Sequence, residues 1–285
     1  IRLNSSKIYK KSQANFESKD YEMRQEFYIS KDSTMIPIFI AYKKGISFDM
    51  KRPTLLYGYG GFNIPIKPYF NKSNIILLES GGVYASANIR GGSEYGQEWH
   101  EGGMLLNKQN VFDDFIYAAK YLFREGISSP EFLAIRGGSN GGLLVGAVVN
   151  QRPDLFRVAF PEVGVMDMLR YEKFTIGHAW AVEYGTVNNK TFFENLIKYS
   201  PLHNIRKDLE YPSIFIYTAD HDDRVVPAHS FKYAATMQKL QKEGNPKLIR
   251  VGKSAGHGAG KPTNKIIVEA ADKWAFMFNE MGIKY

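Results

Sequence analysis

The spacing of hydrophobic positions changes near residue 50. Two β-rich runs, at 24–29 and 36–42, flank a polar turn at 30–33, and this pattern predicts a β-hairpin. Beyond the hairpin, short apolar runs alternate with longer stretches of helical periodicity. The predicted strands are 54–57, 83–89, 132–135, 158–160, 214–218 and 248–251. The predicted helices are 113–125, 141–150, 229–242 and 263–281.

This alternation predicts the class of fold. Strands that alternate with helices are typical of a largely parallel sheet with helices on both faces, so we expect an α/β fold. Residues 1–20 are polar and irregular, and we expect them to form a linker from an upstream domain that this sequence lacks. Residues 21–285 are then expected to form one domain, with no internal repeat.

The amino-acid composition excludes several classes of function. The chain has 285 residues, of which 44% are hydrophobic, and this share is ample for one large core. It has no cysteine, which excludes a disulfide framework and a thiolate nucleophile and favours a reducing, cytoplasmic location. No apolar run approaches the ~18 residues of a membrane span, so no membrane partner is expected. The net charge is +8, but the basic residues are scattered, so no nucleic-acid partner is expected either.

The candidate nucleophile is Ser139. It lies in a Gly-x-Ser-x-Gly motif between a predicted strand and a predicted helix, which is the context of a nucleophile elbow. Such a turn is strained, and Gly137 and Gly141 remove side chains that would collide with neighbouring backbone. The backbone N–H of Asn140 then points at the negative charge that develops on a substrate carbonyl.

The candidate base is His257. In the α/β-hydrolase fold the nucleophile, the acid and the histidine follow in that order, each after a strand. His257 alone lies far downstream of Ser139 in a strand-to-helix loop, and its small neighbours would let the ring approach the serine closely. The other histidines lack this placement and are expected to be structural: His100, His178, His203, His221 and His229.

The candidate acid follows the predicted strand 214–218. Asp220, Asp222 and Asp223 compete for the role, and spacing alone does not choose among them. The acid would accept the imidazole N–H, select the tautomer and stabilise the imidazolium.

Other interpretations of the glycine-rich segments are weaker. A dinucleotide-binding loop is not matched around Ser139, because the Gly-x-Gly-x-x-Gly pattern is missing. A phosphate-binding loop before Gly260-Lys261 is not matched either. Ala255 stands where that motif has glycine, and Pro262 stands where it has Ser or Thr.

Long stretches of the chain resemble the prolyl oligopeptidase family, and the resemblance covers about residues 21–284. The stretches that carry the resemblance are 56–62, 88–92, 137–144, 151–156, 163–168, 175–180, 219–227 and 255–262. The resemblance implies that Asp222 is the acid. It also implies that the Tyr59 hydroxyl is the second oxyanion donor, beside the Asn140 N–H.

The resemblance further implies a pocket for proline. Its residues would be Trp180, Phe62, Val165, Tyr184 and Val225. An indole can stack on a pyrrolidine ring, and aromatic walls suit a residue that has no N–H to donate. Arg224 would donate to a substrate carbonyl.

The implied activity is that of a serine endopeptidase that hydrolyses short peptides on the carboxyl side of proline through an acyl-enzyme. No metal or organic cofactor is expected. Members of the family carry an upstream β-propeller that covers the active site, and this sequence lacks it. Three alternatives stay open: a peptide macrocyclase of the same family, a general esterase on the same fold, and a binding module on an inactive hydrolase scaffold.

Overall fold

Eight strands form one sheet in the computed structural model, which describes residues 6–10, 16–258 and 260–284. The strands are β1 (Tyr21–Ile29), β2 (Met35–Lys43), β3 (Thr54–Tyr57), β4 (Val83–Ala87), β5 (Leu133–Gly138), β6 (Val158–Glu162), β7 (Ser213–Ala219) and β8 (Lys247–Gly252). Their order is β1-β2-β4-β3-β5-β6-β7-β8. Strands β1, β2 and β4 pair antiparallel, and all other pairs are parallel, so the predicted α/β fold is confirmed.

The predicted hairpin lies at one edge of the sheet. Strands β1 and β2 pair from Tyr21 opposite Lys43 to Ile29 opposite Met35. Strand β2 buries Ile36, Ile38, Ile40 and Tyr42 on one face, because side chains two apart share one face of a sheet.

Helices cover both faces of the sheet. They are α1 (Asn74–Glu79), α2 (Gln97–Glu101), α3 (Lys108–Arg124), α4 (Asn140–Gln151), α5 (Ala181–Tyr184), α6 (Lys190–Tyr199), α7 (Ala228–Leu240) and α8 (Thr263–Glu280). Helices α3, α4 and α7 bury side chains in the larger core, and α1 and α8 bury theirs in a second core on the opposite face. In the described part of the chain, no helix is long and apolar enough to cross a membrane.

The helices also show where hydrophobic periodicity is a weak signal. Helix α3 begins five residues before the predicted start, because its first turn, Lys108-Gln109-Asn110, is polar. Helices α1, α2, α5 and α6 were not predicted. Three of them have six residues or fewer, which is too short to show a period. Helix α6 is recognisable instead by its cap, since the Asn189 side chain accepts hydrogen bonds from the N–H groups of residues 191 and 192.

The topology collects four loops at one edge of the sheet. Strands β3, β5, β7 and β8 run parallel, so their carboxyl ends meet there. The loops that follow them carry Tyr59, Ser139, Asp222 and His257 respectively. Four residues that are far apart in sequence therefore lie at the same edge.

Candidate active site

Ser139 occupies a strained turn between β5 and α4. Its backbone has φ 59° and ψ −117°, a conformation that residues with a side chain rarely adopt. The turn has no room for side chains at the flanking glycines. A Cβ on Gly137 would lie 2.2 Å from the carbonyl oxygen of Gly141, and one on Gly141 would lie 2.7 Å from that of Gly58. The sequence predicted this crowding correctly.

Two groups near Ser139 can donate hydrogen bonds to an oxyanion. Asn140 is the first residue of α4, where backbone N–H groups have no acceptor within the helix. The Tyr59 side chain lies close enough to Ser139 for Ser139 to lower the pKa of its hydroxyl. Burial, and then the nearby Glu183 carboxylate, raise the pKa of Tyr59 above its ordinary value, although Arg224 and Ser139 lower it in part. The Tyr59 hydroxyl therefore keeps its proton at neutral pH and can act as a donor.

His257 and Asp222 form a hydrogen-bonded pair. The distance from His257 Nδ1 to Asp222 Oδ2 is 2.7 Å, and the Asp222 side chain is fully buried. The other carboxylate oxygen of Asp222 accepts the backbone N–H groups of Arg224, at 3.1 Å, and Val225, at 2.9 Å. A carboxylate at Nδ1 favours the tautomer that leaves Nε2 free to accept a proton. Within the described residues, no hydrogen bond joins this ring to Ser139.

Asp220 attaches the His257 loop to the Asp222 loop. Its carboxylate accepts the N–H groups of Ser254, at 3.0 Å, and Ala255, at 3.2 Å, and contacts the His221 ring at 2.7 Å. Of the three candidate acids, Asp222 alone contacts His257 within the part of the chain that the structure describes.

The two glycines beside His257 differ in their surroundings and in their backbone conformation. A Cβ on Gly256 would meet nothing nearer than 3.8 Å, so this glycine does not relieve crowding. Gly258 has φ 147°, and that backbone conformation favours glycine. Backbone geometry explains Gly258, and nothing in the structure explains Gly256.

The predicted pocket residues differ in exposure. Val165 and Val225 are buried, and Tyr184 is fully buried, with its ring centre 5.5 Å from that of Phe62 and the two rings nearly perpendicular. Phe62 and Trp180 remain partly exposed. The Trp180 indole stacks on a neighbouring tyrosine ring, with 6.4 Å between the ring centres and an angle of 9° between the planes.

Arg224 is available for a ligand. It is exposed, and among the residues that the structure describes its guanidinium forms no ion pair and no hydrogen bond. It also acts electrostatically on Tyr59. Such a free guanidinium beside the candidate oxyanion donor can bind a carbonyl oxygen.

Sequence reasoning missed a buried polar group behind Tyr59. Lys108 and Glu183 are 1% and 2% exposed, and His100, which was predicted to be structural, lies 2.8 Å from the Glu183 carboxylate. Lysine and glutamate are rarely buried, so neither residue type signals this location in a sequence.

Comparisons with known proteins agree with the architecture. A family model described as the prolyl oligopeptidase family matches residues 68–284. A prolyl endopeptidase from Elizabethkingia meningoseptica is 52% identical over 285 residues, which is 100% of this chain and 40% of that protein. A dual-function macrocyclase-peptidase from Galerina marginata is 44% identical, covering 93% of this chain and 37% of that protein.

A solved structure extends the agreement to three dimensions. A post-proline cleaving enzyme from Rickettsia typhi superposes with a TM-score of 0.93 at 38% identity. The match covers 98% of this chain and 40% of that one. This chain therefore spans about 40% of the length of these proteins.

Proposed function

Since this chain belongs to the prolyl oligopeptidase family, we propose that it carries the catalytic machinery of a serine peptidase that cleaves short peptides on the carboxyl side of proline. One observation carries the proposal. The buried Asp222 holds His257 at 2.7 Å, at the sheet edge where Ser139 occupies its strained turn. The 52% identity to a prolyl endopeptidase supports proline as the recognised residue.

The reaction would proceed through an acyl-enzyme. Ser139 Oγ attacks the carbonyl carbon of the proline residue while His257 Nε2 takes the hydroxyl proton. Asp222 stabilises the imidazolium, and the Asn140 N–H and the Tyr59 hydroxyl donate to the oxyanion. The carbon–nitrogen bond then breaks, the amine leaves with the proton from His257, and water hydrolyses the ester by the same route.

Specificity would come from the partly exposed rings. The Trp180 indole offers a flat face for the pyrrolidine ring, and Phe62 offers a second aromatic wall. Arg224 would donate to a carbonyl of the bound peptide and so determine which bond lies beside Ser139. Val165, Val225 and Tyr184 would support these groups from below.

The proposal is tested with three amide reporters that end in Gly-Pro, Gly-Ala and Gly-Leu, using the chain at its full natural length. We expect turnover of the proline reporter alone, and no turnover by the Ser139→Ala variant. Equal rates on the three reporters would refute the specificity for proline. Activity that survives in Ser139→Ala would refute the nucleophile.

A macrocyclase is the second candidate, because the Galerina marginata relative is named as both macrocyclase and peptidase. In that reaction the amino terminus of the bound peptide, rather than water, would attack the acyl-enzyme. Mass spectrometry of the products of a long proline-containing peptide separates the two outcomes. A cyclic product, lighter than the linear acid by one water, would identify the cyclase.

A further inference from the structure

A buried ion pair forms hydrogen bonds with the loop that carries Tyr59. Lys108, at the start of α3, donates from Nζ to the carbonyl oxygen of Gly60 at 2.8 Å. Glu183, on α5, accepts the backbone N–H of Phe62 at 3.0 Å. Lys108 Nζ lies 3.7 Å from the nearer carboxylate oxygen of Glu183. Lys108 and Glu183 therefore contact Gly60 and Phe62, the first and the third residue after Tyr59.

The same lysine also contacts the turn at Ser139. Lys108 Nζ lies 3.2 Å from the side-chain oxygen of Asn140, which also accepts the Tyr184 hydroxyl at 2.9 Å. The side-chain amide nitrogen of Asn140 donates to the carbonyl oxygen of Tyr59 at 2.6 Å. Asn140 and the loop that carries Tyr59 are thus linked both directly and through Lys108.

The backbone conformation of the loop after Tyr59 explains why these contacts are needed. Gly60 has φ 67° and Phe62 has φ 58°, and residues with a side chain persist in this region only when their surroundings hold them there. A buried ion pair contributes little net stability, since removing two charges from water offsets their attraction. Stability alone therefore gives weak reason for burying Lys108 and Glu183 at this place.

We propose that Lys108 and Glu183 are positioning residues for the oxyanion hole. By holding Gly60 and Phe62, they keep the Tyr59 hydroxyl beside Ser139, and through Asn140 they keep the second donor in register with it. This role rests on the proposed acyl-transfer chemistry of Ser139.

The contacts that Lys108 makes should depend on pH. Burial lowers the pKa of Lys108 to about 8, although Glu183 opposes the shift. Among the described residues, the titratable groups that face this ammonium are Glu183, with His100 on its other oxygen, and Tyr184, whose ring centre lies 5.4 Å from Nζ. Burial raises the pKa of Tyr59 and Tyr184, so both stay protonated. Above pH 8, Lys108 loses its charge, and we expect kcat to fall.

The first test removes both charges together, so that neither is left buried and unpaired. We expect Lys108→Met/Glu183→Gln to lower kcat on the proline reporter by about 10²-fold, the cost of misplacing a reacting group by roughly 1 Å, with KM changed less than kcat. The fall in kcat above pH 8 should be absent from this variant. An unchanged kcat, or a retained fall above pH 8, would overturn the proposal.

Lys247 is a matched control. It is also buried, its pKa is also lowered to about 8 by burial, and it begins β8, at the sheet edge opposite the site. Lys247→Met should retain both the kcat of the wild type and its fall above pH 8. If Lys247→Met loses activity as the double variant does, the loss reflects general damage and the positioning role is refuted.

A double-mutant cycle separates positioning from structure. In a Tyr59→Phe background the hydroxyl is gone, so adding Lys108→Met/Glu183→Gln should cost far less kcat than it does in the wild type. Fully additive losses would contradict the proposal. Labelling by a fluorophosphonate keeps the two proposals distinct. If the wild type does not label, both proposals are refuted. If the wild type labels and the double variant is as active as the wild type, only the positioning role is refuted.

Discussion

The two halves of the candidate site are held in different ways. Around Ser139 and Tyr59 the chain is packed so closely that a Cβ on Gly137 would lie 2.2 Å from backbone. Around His257 there is space, because a Cβ on Gly256 meets nothing within 3.8 Å and the adjacent Gly258 is exposed. The turn in the first half is therefore pressed against neighbouring backbone, whereas the loop that carries His257 has space beside it.

This contrast shows which forces position each half. The turn at Ser139 depends on excluded volume and on backbone contacts, such as the Ser139 N–H, which donates to the backbone oxygen of Glu162 at 2.9 Å. The imidazole depends on hydrogen bonds that two carboxylates accept, Asp222 from the ring and Asp220 from the loop. Added volume should therefore damage the first half, and lost acceptors the second.

The largest expected effect is in the imidazole half. Asp222→Asn keeps the shape but offers an amide N–H to Nδ1, which favours the wrong tautomer, so kcat should fall by roughly 10⁴-fold. Asp220→Asn is the matched control. It removes one acceptor from the loop and should cost less than about tenfold. Steady-state kinetics on the proline reporter measures both, and equal losses would show that Asp222 has no special role.

Tyr59→Phe probes the nucleophile half. Removing one oxyanion donor should lower kcat by roughly 10²–10³-fold, with KM nearly unchanged, because the hydroxyl acts on the charge that develops in the transition state. Tyr57→Phe, on the preceding strand, is the control and should keep its activity. A Tyr59→Phe variant as active as the wild type would remove the hydroxyl from the mechanism.

Acid stability should depend on Glu162. Burial opposes its ionisation, but Arg136 and Lys273 outweigh burial and lower the pKa of Glu162 from 4.5 to about 2. Because the folded-state pKa is the lower one, this stabilisation is complete above pH 4.5 and is lost as the pH falls towards 2. Glu162→Gln should therefore lower the free energy of unfolding at pH 7 by roughly 3 kcal/mol, and the difference should vanish near pH 2.

Urea unfolding as a function of pH measures this difference. Asp220 also has a pKa lowered to about 2, first by its hydrogen bond with His221, but it lies on the surface, where solvent screens charges. Asp220→Asn should change the acid dependence much less. Parallel stability curves for Glu162→Gln and the wild type would exclude the ion pair as the cause.

The smallest expected effect compares one methyl group in each half. Gly137→Ala should destabilise the fold by ~1–3 kcal/mol, because the added Cβ meets backbone that cannot move aside. Gly256→Ala should be tolerated. Thermal unfolding of the two variants measures the difference. Equal melting temperatures would show that the two halves are packed alike.

Much of the fold could be read from hydrophobic periodicity. All eight strands and the four longest helices were predicted, because each is long enough, or apolar enough, to show its period. Helices of four to six residues, such as α1 and α5, show no period. Ser139 was predicted because its motif describes one local turn, and such a turn needs glycines at fixed offsets.

The remaining features depend on contacts between distant residues. Spacing left Asp220, Asp222 and Asp223 equivalent, and in the described structure only Asp222 reaches His257. Lys108 and Glu183 lie 75 positions apart, and nothing near either predicts that they meet behind Tyr59. Turns and periods are local properties of the chain, so the residue order specifies them. Which carboxylate faces which ring, and which charges are buried together, depends on how the strands are ordered in the sheet, and only the folded chain decides that.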